Sequence, residues 1–166
     1  MAPHWQETSL QTQAGPMPAR LYGVRPGKGA VPLILHLHGG AFTGGTLDCG
    51  AYIAALLAEA GAVVVSADYP LACEHPFPFA LTAAFGALSA LYSRRAEFAG
   101  RNAPLYVAGE ESGGNLAAGL AMMARDQQAP PLAGQILISP MLDPSLATAS
   151  LRAAEAGTCG CKWADG

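Results

Sequence analysis

Four nearly continuous apolar runs punctuate the chain, at residues 31–37, 62–67, 105–108 and 135–139. Runs this short, rich in Leu, Ile and Val and lacking polar alternation, predict strands buried on both faces, as in a parallel sheet. The segments between them read as helices. Residues 51–60 are rich in Ala and Leu and stop at Gly61, a glycine placed to end a helix. Residues 77–98 carry apolar side chains at helical spacing and end before Gly100, and residues 112–125 stop before Pro130-Pro131. Strands alternating with helices predict right-handed crossovers and an α/β fold, a mostly parallel sheet with helices on both faces. Ahead of it, residues 7–24 alternate apolar and polar around Gly15-Pro16, which predicts an antiparallel hairpin at the sheet edge. No repeat or linker divides the chain, so residues 1–166 are expected to form a single domain. Residues 145–166, rich in Ala and Gly, predict no strand, as if the domain stopped partway through its architecture.

Composition narrows the class. Hydrophobic residues make up 51% of the 166 and charged residues 13%, enough apolar material for a large core and far from disorder. A net charge of −3 supplies no basic field to draw nucleic acid or an anionic membrane, and no apolar run reaches the length of a span. Residues 1–7 lack the basic and apolar regions of a secretory signal. Cys159-Gly160-Cys161 is too tight for a usual zinc pair, and no histidine follows it. With Cys49 and Cys73 these read as reduced thiols of a cytoplasmic protein, with no metal, cofactor or nucleic acid expected.

The chemistry is concentrated in two motifs. Val107-Ala108-Gly109-Glu110-Glu111-Ser112-Gly113-Gly114-Asn115 has the frame of a strand–turn–helix nucleophile elbow, G-x-S-x-G, with Gly109 and Gly113 in the flanking positions. The residue between them stands on a strained turn that lifts its side chain above the sheet; here it is Glu111. His36-Leu37-His38-Gly39-Gly40-Ala41-Phe42 follows the first buried strand. A His-Gly-Gly turn there lets backbone N–H groups face a cavity and hold an oxyanion, or it is simply a tight turn with no ligand. His38 is expected to hydrogen-bond the loop and set its shape, and His36 to pack on the other side of the strand. The run from Asp68-Tyr69-Pro70 to His75-Pro76-Phe77-Pro78 suits an ordered loop leading into a helix. Asp68 is expected to pair within that loop, and His75 to take no part in catalysis.

In order and spacing, residues 38–41, 68–78, 109–115 and 139–144 resemble the hormone-sensitive-lipase-like branch of the α/β-hydrolases, whose blocks read HGGG, DYRLAPEHPFP and GDSAGGN. The resemblance runs from about residue 31 to residue 144. It implies the α/β-hydrolase fold and cofactor-free cleavage of short or medium acyl esters. It also implies an oxyanion loop at Gly39 and Gly40, a third oxyanion donor in the backbone N–H of Ser112, and Glu111 in the place of the nucleophilic serine. Ala41 replaces the third glycine, and Pro70 and Cys73 replace an arginine and a proline. The family's aspartate and histidine belong to a C-terminal half with no counterpart in this sequence, so a truncated, partial domain is expected.

A glutamate at the apex alters the expected chemistry. It is one methylene longer than the aspartate that some other α/β-hydrolases use, so its carboxylate is expected to fill the oxyanion pocket. Negative charge is favoured there, which makes Glu111 a poor nucleophile. Reframing the elbow on Ser112 would put Glu110 where a small residue is needed. The expected protein is therefore esterase/lipase-like, with hydrolysis lost or dependent on a missing half. The alternative is a non-catalytic binding module for a small acyl or hydrophobic ligand. Residues 135–139 are expected to leave an apolar edge, and hence self-association or a complementing chain.

Overall fold

Two strands lie side by side at the centre of the sheet and are buried along their whole length: β3 (Leu33–Leu37) and β4 (Val63–Ala67). In the computed structural model, residues 4–13, 15–25 and 27–143 are described. The strandless stretch expected at 145–166 lies outside them. The remaining elements are β1 (Trp5–Thr12), β2 (Gly15–Tyr22), α1 (Ala51–Glu59), α2 (Phe79–Ser93), α3 (Arg95–Phe98), β5 (Leu105–Glu110), α4 (Ser112–Gln127) and β6 (Gly134–Ile138).

The sheet order is β1-β2-β4-β3-β5-β6. β4, β3, β5 and β6 are parallel, and the β1–β2 hairpin joins antiparallel to β4, as the alternation in residues 7–24 predicts. Strand periodicity divides the core in two. Leu33, Leu35, Leu37, Val63 and Val65 face one layer, with Ala84 and Leu88 of α2 and Leu116 and Leu120 of α4. Ile34, Val64 and Ala108 face the other, with Ala54 of α1. Helices therefore cover both faces. β6 is only partly buried and pairs with β5 alone among the described residues.

Two boundaries differ from expectation. The helix expected over residues 77–98 begins at Phe79, because Pro76-Phe77-Pro78 holds Phe77 before a proline, which disfavours the helical backbone there. It also breaks at Arg94, φ −99°, into α2 and the single-turn α3. Gly61 ends α1 as expected, in the left-handed region at φ +96°.

Leu35 is fully buried at the centre of β3, so Leu35→Ala should cost about 2–5 kcal/mol, read as a lowered midpoint in urea unfolding. Phe77→Ala, at an 84% exposed position, should stay within about 0.5 kcal/mol of the parent.

Candidate functional site

Strand β5 runs directly into helix α4 through one residue, Glu111, held at φ +53°, ψ −115°. The turn is this sharp because strand and helix nearly touch. A Cβ on Gly109 would collide with the backbone of Gly113, and one on Gly113 with the carbonyls of Leu37 and His38. The segment after β6 braces the turn from outside. Glu111 N–H donates to Ile138 O (3.0 Å), Met141 N–H to Glu111 O (3.0 Å), and Asn115 Nδ2 to Met141 O (2.6 Å).

The glycine loop after β3 faces the apex. Gly40 N–H donates to Glu111 Oε2 at 2.8 Å and Ala41 N–H to Glu111 Oε1 at 3.1 Å, so each carboxylate oxygen holds one amide. Gly39, expected beside Gly40, instead donates its amide to Glu110 Oε1 at 3.1 Å. The backbone explains the exchange. Gly40 and Ala41 lie at φ +138° and +52°, which turns the Ala41 N–H towards the same carboxylate as Gly40. Ala41 is thus a donor that sequence reasoning saw only as a lost glycine; its place as third residue of the loop was the available signal. Ser112 begins α4 fully buried, its hydroxyl 3.5 Å from Tyr69 Oη, and is not presented to solvent.

Loop 68–78 supports the glycine loop from below. Ala72 N–H donates to Phe42 O (2.8 Å), and Tyr69 Oη to His38 O (2.8 Å). The Tyr69 ring stacks on His38 with centroids 4.5 Å apart. Burial first, and then the nearby carboxylates of Glu111, Glu110 and Asp68, push the Tyr69 phenol up to about 12, although the Ser112 hydroxyl pulls the other way. His38 Nδ1 lies 2.8 Å from Gly39 O, and a carbonyl only accepts, so Nδ1 carries the proton. Its Nε2 faces Asp68 Oδ1 at 3.8 Å. His38 therefore bonds the loop itself, and Asp68, expected to pair within its own loop, faces His38 of the glycine loop instead.

On the α1 side of the sheet, His36 is fully buried between Ser66 Oγ (Nδ1, 2.9 Å) and Glu110 Oε2 (Nε2, 2.8 Å). Burial pushes the Glu110 carboxyl up, but the His36 hydrogen bond and charge and the Gly39 amide outweigh it and hold the group below its ordinary 4.5. Sequence reasoning met Glu110 only as an obstacle to reframing the elbow. The strand period of two, counted from Ala108, places it on the face of His36. Among the described residues no group of three or more His, Cys, Asp or Glu is placed to hold a metal ion, and no helix is long and apolar enough to cross a membrane.

This architecture agrees with what comparison with known proteins shows. A family model described as alpha/beta hydrolase fold matches residues 34–161, and the chain belongs to that family, in its hormone-sensitive-lipase-like branch. It is 38% identical over 133 residues to the carboxylesterase NlhH of Mycobacterium tuberculosis, covering 78% of this chain and 42% of that protein. An esterase structure from Pyrobaculum calidifontis superposes with a TM-score of 0.76 at 37% identity, covering 82% of this chain and 45% of that one. The gibberellin receptor GID1B of Arabidopsis thaliana is 36% identical over 116 residues, covering 67% of this chain and 32% of that protein. The chain spans less than half the length of each.

Because the Glu110 carboxyl is lowered by folding, the stability it contributes is present above the ordinary glutamate value and lost as pH falls through its folded value. Glu110→Gln should therefore be less stable than the parent by about 1–3 kcal/mol near neutral pH. That gap should narrow steadily in unfolding curves taken below 4.5.

Proposed function

We propose that this chain is an esterase-type α/β-hydrolase scaffold whose anion-holding amides are occupied by its own Glu111, so that ester hydrolysis is lost from it. The observation that carries this reading is the pair of bonds from Gly40 and Ala41 to the two oxygens of one carboxylate. When a serine stands at the apex, such amides stabilise the charge that develops on the ester carbonyl oxygen. Gly39, Gly40 and the Ser112 amide belong to that apparatus by position, and Ala41 joins them by geometry. Here the Glu111 carboxylate itself holds the donors, at the start of α4 where the helix end favours an anion. A carboxylate so stabilised is a weak nucleophile, and it takes the Gly40 and Ala41 amides that a substrate oxygen would need.

A glutamyl acyl-enzyme would also need a base to activate water. Of the four histidines in the sequence, His36 and His38 are buried in structural hydrogen bonds, His75 stacks on Phe79, and His4 lies before β1. None stands ready for that step. The esterase names belong to proteins of which this chain spans less than half, so ester cleavage by a longer assembly is part of the proposal. One observation favours a second reading, a binding module for a small acyl ligand: a relative this similar is named a receptor. The outer edge of β6 is where self-association or a complementing chain would join.

The purified chain should show no turnover of p-nitrophenyl acetate or butyrate above buffer. Turnover that disappears in Glu111→Ala would establish a carboxylate nucleophile and overturn the reading. Glu111→Ala should lose about 1–3 kcal/mol as two amides lose their partner. Added butyrate should then raise the thermal midpoint of Glu111→Ala and leave that of the parent unchanged. Saturable ligand binding by the parent, with no turnover, would favour the module.

A further inference from the structure

Three polar side chains form a chain through the interior: Ser66 on β4, His36 on β3 and Glu110 at the end of β5. Ser66 Oγ lies 2.9 Å from His36 Nδ1, His36 Nε2 lies 2.8 Å from Glu110 Oε2, and Glu110 Oε1 accepts the Gly39 amide at 3.1 Å. The order serine–histidine–carboxylate is that of a catalytic triad, but Ser66 and His36 are both 0% exposed, so no substrate reaches the hydroxyl. The trio performs no nucleophilic chemistry.

Its placement shows what it does. His36 stands opposite Ser66 on β4 and Ala108 on β5, and Glu110 follows Ala108 by two residues on the same face. Apart from these three, the neighbouring positions of that layer are Ile34, Val64 and Ala108. Buried polar groups among such neighbours cost free energy unless paired, and apolar residues would fill the same sites without that cost. What apolar residues cannot do is hold a backbone amide with a carboxylate fixed in one orientation. Gly50, at the start of α1, closes the space above: a Cβ there would sit 2.7 Å from His36 Cε1 and 3.3 Å from Glu110 Oε1. The carboxylate thus has little room to turn. Two consecutive carboxylates also address consecutive amides of one loop, Glu110 that of Gly39 and Glu111 those of Gly40 and Ala41. A hydrogen bond from His36 to Glu110 offsets the repulsion between them.

We propose that Ser66, His36 and Glu110 form a buried positioning relay, in which Glu110 pins the Gly39 amide and so sets the loop that offers Gly40 and Ala41 to an anion. Glu110 is a positioning residue that acts through Gly39. The inference rests on the reading of residues 39–41 as an anion-holding loop, but its test does not depend on activity.

The test is amide NMR on the full chain. Glu110→Gln keeps the shape and removes the charge, and Ser66→Ala removes a hydroxyl that does not touch the loop. Glu110→Gln should move the Gly39 amide proton upfield and raise hydrogen exchange at residues 39, 40 and 41 on the order of tenfold, while Val63–Ala67 of β4 keeps its protection. Ser66→Ala should move the Gly39 amide proton and the exchange of residues 39, 40 and 41 in the same directions, by less. If Glu110→Gln disrupts β4 as well, Ser66→Ala decides alone. A Ser66→Ala protein with residues 39–41 unchanged in shift and exchange overturns the relay. Ester turnover that requires Glu111 would instead overturn the proposed function and leave the amide result standing.

Discussion

The site depends on how closely β5 and α4 approach across a single residue. Gly109 and Gly113 leave no room for a side chain between strand and helix, so the backbone reverses at Glu111 and lifts its carboxylate over the sheet. A non-glycine residue at φ +53° carries strain of order 1–3 kcal/mol. The strain is offset locally. Ile138 and Met141 bond the backbone of Glu111 on one side, and Gly40 and Ala41 bond its side chain on the other. A larger residue at 109 or 113 would push the helix away, and the apex would lose its height above the loop.

The framework was largely legible in the sequence. Buried strands announce themselves as unbroken apolar runs, and those at 31–37 and 62–67 match β3 and β4, which are buried along their length. The hairpin was legible from its alternation, because a two-sided strand at an edge repeats every second residue. Boundaries near proline were not. Helical spacing continues through Phe77, while the constraint imposed by Pro78 is local and outweighs it. At the site, motif spacing located residues 39, 40, 111 and 112 but not the direction of each peptide plane. That direction decides that Ala41 rather than Gly39 meets Glu111, and it follows from positive φ at Gly40, which glycine permits, and at Ala41, which its residue type does not announce.

Charge explains why so polar a cluster is tolerated in a core built from alanine, leucine and valine. Glu110 and Glu111 are adjacent, yet each finds separate donors: an imidazole and one amide for the first, two amides for the second. Tyr69 and His38 complete the floor beneath the loop by stacking and by a bond to backbone rather than by added charge. The apolar layer facing α2 and α4 carries the packing, and the layer beneath α1 carries the orientation.

The bond between Glu111 and the loop joins two parts of one molecule, which gives it a property that no dissolved anion shares. Its occupancy is independent of how much protein or small molecule is present, because a tethered group acts at an effective concentration of order millimolar or higher. Dilution cannot free the two amides. Any free acid arriving from solution competes for the Gly40 and Ala41 amides with a rival that never diffuses away.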